Sequence, residues 1–188
     1  MSSENEELPV IRISVRNLVE FILRKGDIDD RISRGLDRDA MLMGGRIHRK
    51  IQRRMGPDYH AEVSLRKEVR FEGFRILVEG RADGIITEQI GKEQKITIDE
   101  IKGVLRELRF IEKPEALHVA QAKCYAAIYA EQKGLKKIDV QVTYCQMESE
   151  EICRFVQSFD AGELKEWFYG LVGEYEKWAR FEVEWKKA

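Results

Sequence analysis

The chain has 188 residues, of which 43% are hydrophobic and 36% charged, with a formal net charge of −1. That length suits one domain with a real core, and the composition is that of a well-ordered soluble protein. No stretch approaches the ~20 apolar residues that a membrane span requires, and a near-zero net charge leaves any nucleic-acid role to be read from how the charges are distributed.

The acidic start, MSSENEELP, lacks the basic and apolar runs of a signal peptide, so a cytoplasmic protein is expected. Ser14 precedes VRNLVEFIL, where Val15, Leu18, Val19 and Ile22 recur at helical spacing. This predicts a short helix with Ser14 as its N-cap. The charged stretch RKGDIDDRISRGLDRD, with two glycines, reads as a loop, and Asp39 as the cap of a second helix over about 39–55. From Ala61 the pattern becomes extended. AEVSLRKEVRF, RILVEGRADGII and KITIDEIKGV read as three strands of an antiparallel meander, the first two joined by a tight turn at EGF. Pro114 opens a helix over about 114–133 that Gly134 ends. KIDVQVTYCQM and ICRFVQSF are two further strands about a turn at Glu148–Glu151, and a last helix starts near Asp160. The expected fold class is α/β, a central mixed sheet with helices on both faces, in one domain spanning 1–188.

Chemistry concentrates on the third strand. Side chains alternate along a strand, so Ile98, Glu100 and Lys102 share one face and Asp99 and Ile101 the other. Asp83, near the end of the second strand, converges on Glu100 if the two strands are neighbours. Two adjacent carboxylates repel, and a divalent cation with oxygen ligands is the usual compensation. Such a cation lowers the pKa of bound water, and the Lys102 amine beside it would orient that water or stabilise developing charge. The plainer alternative is a cross-strand charge pair on a solvated face. His48 lies one turn after Gly44, beside Ile47 and Ile51, as either a site residue or a core histidine. Gln121 and Tyr125 share a helical face at i and i+4, suited to a phosphate or to a metal's ligands, or to the polar edge of an amphipathic helix.

Taken together, Gly44 to His48 (G-x-x-x-H), Gly80 to Asp83 (G-x-A-D), Asp99 to Lys102 (D-E-I-K) and Gln121 to Tyr125 (Q-x-x-x-Y) resemble the motifs of the RecB-like branch of the PD-(D/E)XK nucleases. They come in that family's order over about residues 40–145. The resemblance implies a restriction-endonuclease-like core and cleavage of DNA phosphodiester bonds with Mg²⁺ or Mn²⁺. It implies His48, Asp83, Glu100 and the Ile101 carbonyl as metal ligands, Lys102 as the catalytic lysine, and Gln121 and Tyr125 near the substrate. Some RecB-like nucleases hold an iron–sulfur cluster on four cysteines. This chain has three, Cys124, Cys145 and Cys153, none before His48, so no such cluster is expected.

ISVRNLVEFILRKGDID and ELKEWFYGLVGEYEKWARFEVEW are also similar to the nuclease module at the front of some superfamily-2 helicases related to DinG and XPD. That similarity implies a helicase motor as a partner and a role in DNA repair or processing. Leu164, Trp167, Phe168, Leu171, Tyr175 and Trp178 then form a helical stripe that either folds back on the core or docks a motor. Arg46, Arg49, Lys50 and Arg53 make a basic stripe on the helix that carries His48, suited to a phosphate backbone or simply solvated. Arg106, Arg109 and Lys113 extend it past Lys102. The rival reading is a catalytically silent module of the same fold that binds or threads single-stranded DNA, and a third is an interaction domain served by its last helix.

Overall fold

A computed structural model of the chain describes residues 7–24 and 37–188, the side chains of 37–42 excepted. The antiparallel meander is present as β2 (Tyr59–Phe71), β3 (Phe74–Ile90) and β4 (Glu93–Val104). Both of its hairpins turn on a glycine in the left-handed region, Gly73 at φ 84° and Gly91 at φ 62°, a conformation that brings glycine no side-chain clash. β5 (Lys137–Gln146) and β6 (Ile152–Asp160) complete the far side. A short strand that the sequence pattern does not announce, β1 (Val10–Ser14), pairs parallel with β3. Five residues are too few for an alternation to stand out before the helix that follows. The six strands form one mixed sheet in the order β1-β3-β4-β5-β6, with β2 on the other edge of β3.

This order has a consequence for the site. β2 pairs along one edge of β3 from Phe74 to Ile86, skipping Glu62 opposite Asp83, so β1 and β4 lie end to end along the opposite edge. β1 pairs with β3 as far as Ser14↔Glu79, and β4 joins only at Gly84↔Asp99. Between them, Gly80–Asp83 faces a break in the sheet. β4 then turns away from β3 and continues in parallel with β5 through Val104↔Gln146.

Helices cover both faces, as the sequence pattern predicts. α1 (Val15–Leu23) starts at Ser14, whose hydroxyl accepts the Asn17 amide at 3.0 Å. It packs with α3 (Ala116–Lys133) and α4 (Ala161–Lys187) over the larger core, built on Leu18, Ile76, Val78, Ile98, Ile128 and Phe168. α3 begins two residues after Pro114, with Glu115 in the extended N-cap position, and ends at Gly134 with φ 63°. α4 starts at Asp160, whose carboxylate accepts the Glu163 amide at 3.0 Å. It folds back on the core through Leu164, Phe168, Leu171, Val172 and Ala179, while Phe181 and Trp185 beyond are exposed. α2 (Asp37–Arg54) lies on the opposite face, with Ile47 and Ile51 against Ile101 and Cys145. It starts two residues before Asp39, so residues 37–39 of the loop expected over 24–39 are helical and Asp39 is inside the helix rather than its cap; the Asp39 side chain and residues 25–36 of that loop lie outside the described residues.

Candidate active site

The break in the sheet collects the residues that the strand pattern singles out. Asp83 turns its carboxylate into the gap, where Oδ2 accepts the Ile101 main-chain amide at 2.7 Å. The N–H and C=O of a strand residue leave on the same edge, so the Ile101 carbonyl faces the gap too. Asp83 Oδ1 lies 3.3 Å from His48 Nδ1, reached from α2. Glu100 and Lys102 rise from the α3 face of β4, with Lys102 Nζ 3.3 Å from Glu100 Oε1. The other oxygen, Glu100 Oε2, is buried without a hydrogen-bond partner among the described residues. Burial and the neighbouring Asp83 carboxylate push the Glu100 carboxyl up to about 8, against the opposing pull of Lys102.

The glycines of G-R-A-D-G exist to admit aromatic rings. A Cβ on Gly80 would stand 2.6 Å from the Tyr125 hydroxyl, and one on Gly84 would stand 2.0 Å from the Tyr59 ring. Tyr125 thus reaches from α3 under the gap, hydrogen-bonds the Arg81 backbone, and is held well above the usual phenol range by burial and by the Glu100 and Asp83 charges. Gln121 is buried beside it, with Oε1 unpartnered among the described residues. Both motif residues of α3 are therefore buried, with Tyr125 close enough to Glu100 and Asp83 to feel their charges.

On the opposite face Asp99, 1% exposed, is locked by three donors: Tyr59 Oη at 2.7 Å, Thr143 Oγ1 at 2.6 Å and Gln141 Nε2 at 3.1 Å. A buried carboxylate this fully satisfied fixes the strand that carries it. Its neighbours Glu100 and Ile101 inherit that rigidity.

Two residues at the gap escape the motifs. Gln52, one turn past His48 on α2, donates Nε2 to the Asp83 carbonyl at 2.9 Å and to Glu62 Oε1 at 3.0 Å. Glu62 itself is in the left-handed region at φ 56°, an uncommon state for a non-glycine residue that marks local strain. The β2–β3 register passes from Ala61↔Gly84 to Val63↔Ala82, leaving Glu62 opposite Asp83 without a ladder pair. The i, i+4 spacing of His48 and Gln52 is a usable signal, whereas nothing local marks Glu62. A third, His118, sets Nδ1 2.7 Å from the Tyr144 hydroxyl. Tyr144 is the register partner of Lys102. Burial and the Lys102 charge lower His118 to about 4, so its ring is neutral where it hydrogen-bonds the Tyr144 hydroxyl.

Among the described residues, no three His, Cys, Asp or Glu side chains stand gathered as a metal cage. The donor set nonetheless suits a hard divalent cation. Asp83 lies between His48 and the Ile101 amide, its charge acts on Glu100, and one Glu100 oxygen is buried without a partner among the described residues.

The basic stripe of α2 is exposed along its length. Lys50 and Arg54 pair with Glu150 of the β5–β6 turn, while Arg46, Arg49 and Arg53 make no ion pair among the described residues. Past Lys102, Arg106 pairs with Glu115 and Arg109 with Glu107. All three cysteines are free thiols, with Cys124 and Cys145 buried.

No family model matches the chain, and no curated protein sequence does. Among solved structures, the crystal structure of SSO0001 is similar in fold, with a TM-score of 0.52 at 17% identity, over 90% of this chain and 78% of that one. At that identity the likeness concerns the fold, and it agrees with the α/β layering described above. No helix of the described residues is long and apolar enough to cross a membrane.

Proposed function

We propose that this chain is a divalent-metal-dependent deoxyribonuclease of restriction-endonuclease-like architecture, in which Asp83, Glu100 and Lys102 carry the chemistry. The observation that supports it most is Glu100: a buried carboxylate with one orphan oxygen, beside a second carboxylate and an amine, at a break in the sheet. A buried carboxylate oxygen without a partner is costly, and a cation offsets that cost.

Asp83, Glu100, His48 and the Ile101 carbonyl would hold Mg²⁺ or Mn²⁺, which supplies charge neutralisation at a phosphate and acidification of water. The chain's own residues do the rest. The Ile101 amide and His48 hold both Asp83 oxygens in place. Lys102, about a quarter exposed, presents its ammonium to the opening, where it orients the attacking water or meets charge developing on the phosphate oxygens. Arg46, Arg49 and Arg53 on α2 offer non-specific contacts to a phosphate backbone. No base-reading module is present in the sequence, so cleavage independent of sequence is expected. A role in DNA repair or processing beside a helicase motor belongs to the same proposal, with the exposed end of α4 as the docking element.

Incubation of end-labelled single- and double-stranded DNA with Mg²⁺, Mn²⁺ or chelator tests this reading. Metal-dependent cleavage is the expected result, and equal turnover in chelator would contradict it. A second reading, a silent module that holds single-stranded DNA, draws on the basic face of α2, which is independent of the carboxylates. Salt-sensitive binding without cleavage in any metal would favour it.

A further inference from the structure

We propose that the loop Leu105–Phe110, immediately downstream of Lys102, is a wedge on which unpaired bases of the substrate stack. The inference rests on the nuclease reading and specifies its substrate as a single strand or a frayed end.

The loop is built as a rigid base with two apolar tips. Its base is fixed by Gln146 Nε2 to the Leu105 carbonyl at 3.0 Å, by the Met147 amide to the Val104 carbonyl at 2.9 Å, and by Arg106 to Glu115 at 3.1 Å. A single turn, Leu108–Phe110, closes it through Ile111 N–H to the Leu108 carbonyl at 2.9 Å. Leu108 and Ile111 pack inward on Val142 and Tyr144. Leu105 and Phe110 point outward, 68% and 65% exposed. Singly exposed apolar side chains are ordinary on a protein surface, so a reason for these two has to come from their position and neighbours.

Position supplies that reason. Lys102 and Arg106 both act on the His118 charge. Glu115, the partner of Arg106, donates its amide to the Tyr144 hydroxyl at 2.9 Å, and Tyr144 lies beside Lys102 in the sheet. The wedge therefore rises from the same end of β4 as the catalytic amine. Its chemistry suits a nucleobase. The Arg109 guanidinium lies 4.8 Å from the Phe110 ring centre, a stacked cation and ring of the kind on which bases pile without sequence preference. A protein partner fits less well. Two apolar tips among Arg106, Glu107, Arg109, Glu112 and Lys113 fall far short of the apolar centre that a stable protein interface needs.

The test uses the full chain carrying Lys102→Ala, in Ca²⁺, with single strands that bear the fluorescent base 2-aminopurine at successive positions. One or two adjacent positions should change fluorescence on binding. Adding Phe110→Ala should abolish that change and weaken single-strand affinity by about 5- to 100-fold, the range for loss of a base–aromatic stack. Phe110→Trp should restore both, and duplex affinity should hold within about 2-fold. An unchanged signal and affinity in Phe110→Ala would overturn the wedge while leaving DNA binding intact. Failure of the Phe110-intact protein to bind any DNA would overturn the nuclease reading, and the wedge with it.

Discussion

Asp83 and Ile101 are joined across the break in the sheet: the Asp83 carboxylate accepts the Ile101 amide at 2.7 Å, where the β3–β4 ladder has already ended at Gly84↔Asp99. The side chain stands in for a missing strand partner, and it holds a second oxygen toward His48. Asp83→Asn keeps the shape and removes the charge. Cleavage should fall at least about 100-fold with little change in the denaturation midpoint. Asp83→Ala also strands the Ile101 amide, adding a stability loss of about 1–3 kcal/mol that urea titration would register.

Gly84 is fixed by the Tyr59 ring, which lies where a Cβ would go. Gly84→Ala must displace that ring from Asp99, leaving a buried carboxylate short of a donor. A loss of about 2–4 kcal/mol is expected from the overpacking and the broken hydrogen bond. Tyr59→Phe alone should cost less, since it removes the donor without moving the strand. Equal denaturation midpoints for Gly84→Ala and the parent would contradict this role for the glycine.

Gln52 ties α2 to Asp83 through the main chain and to the strained Glu62. Gln52→Ala should lower turnover about 10-fold or more and raise the metal concentration needed for half-activity, while KM for DNA changes little. A change confined to KM would place Gln52 in substrate binding instead.

The raised Glu100 carboxyl gives the metal-free protein a pH signature. The native state keeps a proton that the unfolded chain has released, over the window from the ordinary carboxylate value of 4.5 to about 8. The unfolding free energy should therefore fall as pH rises through that window. Glu100→Gln should flatten the slope. Mg²⁺ at the alkaline end should stabilise the parent and not the variant. Thermal melts from pH 5 to pH 8 in chelator and in Mg²⁺ would show it.

Arg46, Arg49 and Arg53 have no acidic partner among the described residues, whereas Lys50 is paired with Glu150. The triple alanine variant should bind DNA more weakly, and its log–log salt slope should be shallower by about 1 for each phosphate it no longer neutralises. Lys50→Ala should do less. An unchanged salt slope in the triple variant would place the phosphate backbone elsewhere.

Much of this arrangement is legible in the sequence because it is local. Period-two alternation marks β2, β3 and β4, the glycines mark the turns and the end of α3, and Ser14 and Asp160 mark the helix starts. Alternation also puts Glu100 and Lys102 on one face and Asp99 and Ile101 on the other, as the structure has them. What escapes depends on topology. That β1 and β4 share one edge of β3 is a long-range fact, and the gap at Gly80–Asp83 follows from it. The strain at Glu62, the burial of Gln121 and Tyr125 beneath the site, and the pairing of His118 with Tyr144 all require knowing which elements meet. A helical i, i+4 pattern shows that Gln121 and Tyr125 share a face, not that α3 presses that face onto the strands.

The central claim is most directly tested by the rate at which the Lys102→Ala variant cleaves end-labelled DNA in Mn²⁺ and in chelator, beside the parent chain. The expected result is that the parent cleaves only with metal, and that the variant still binds the DNA but cleaves it at least about 100-fold more slowly. Cleavage by the variant at the parental rate would contradict it.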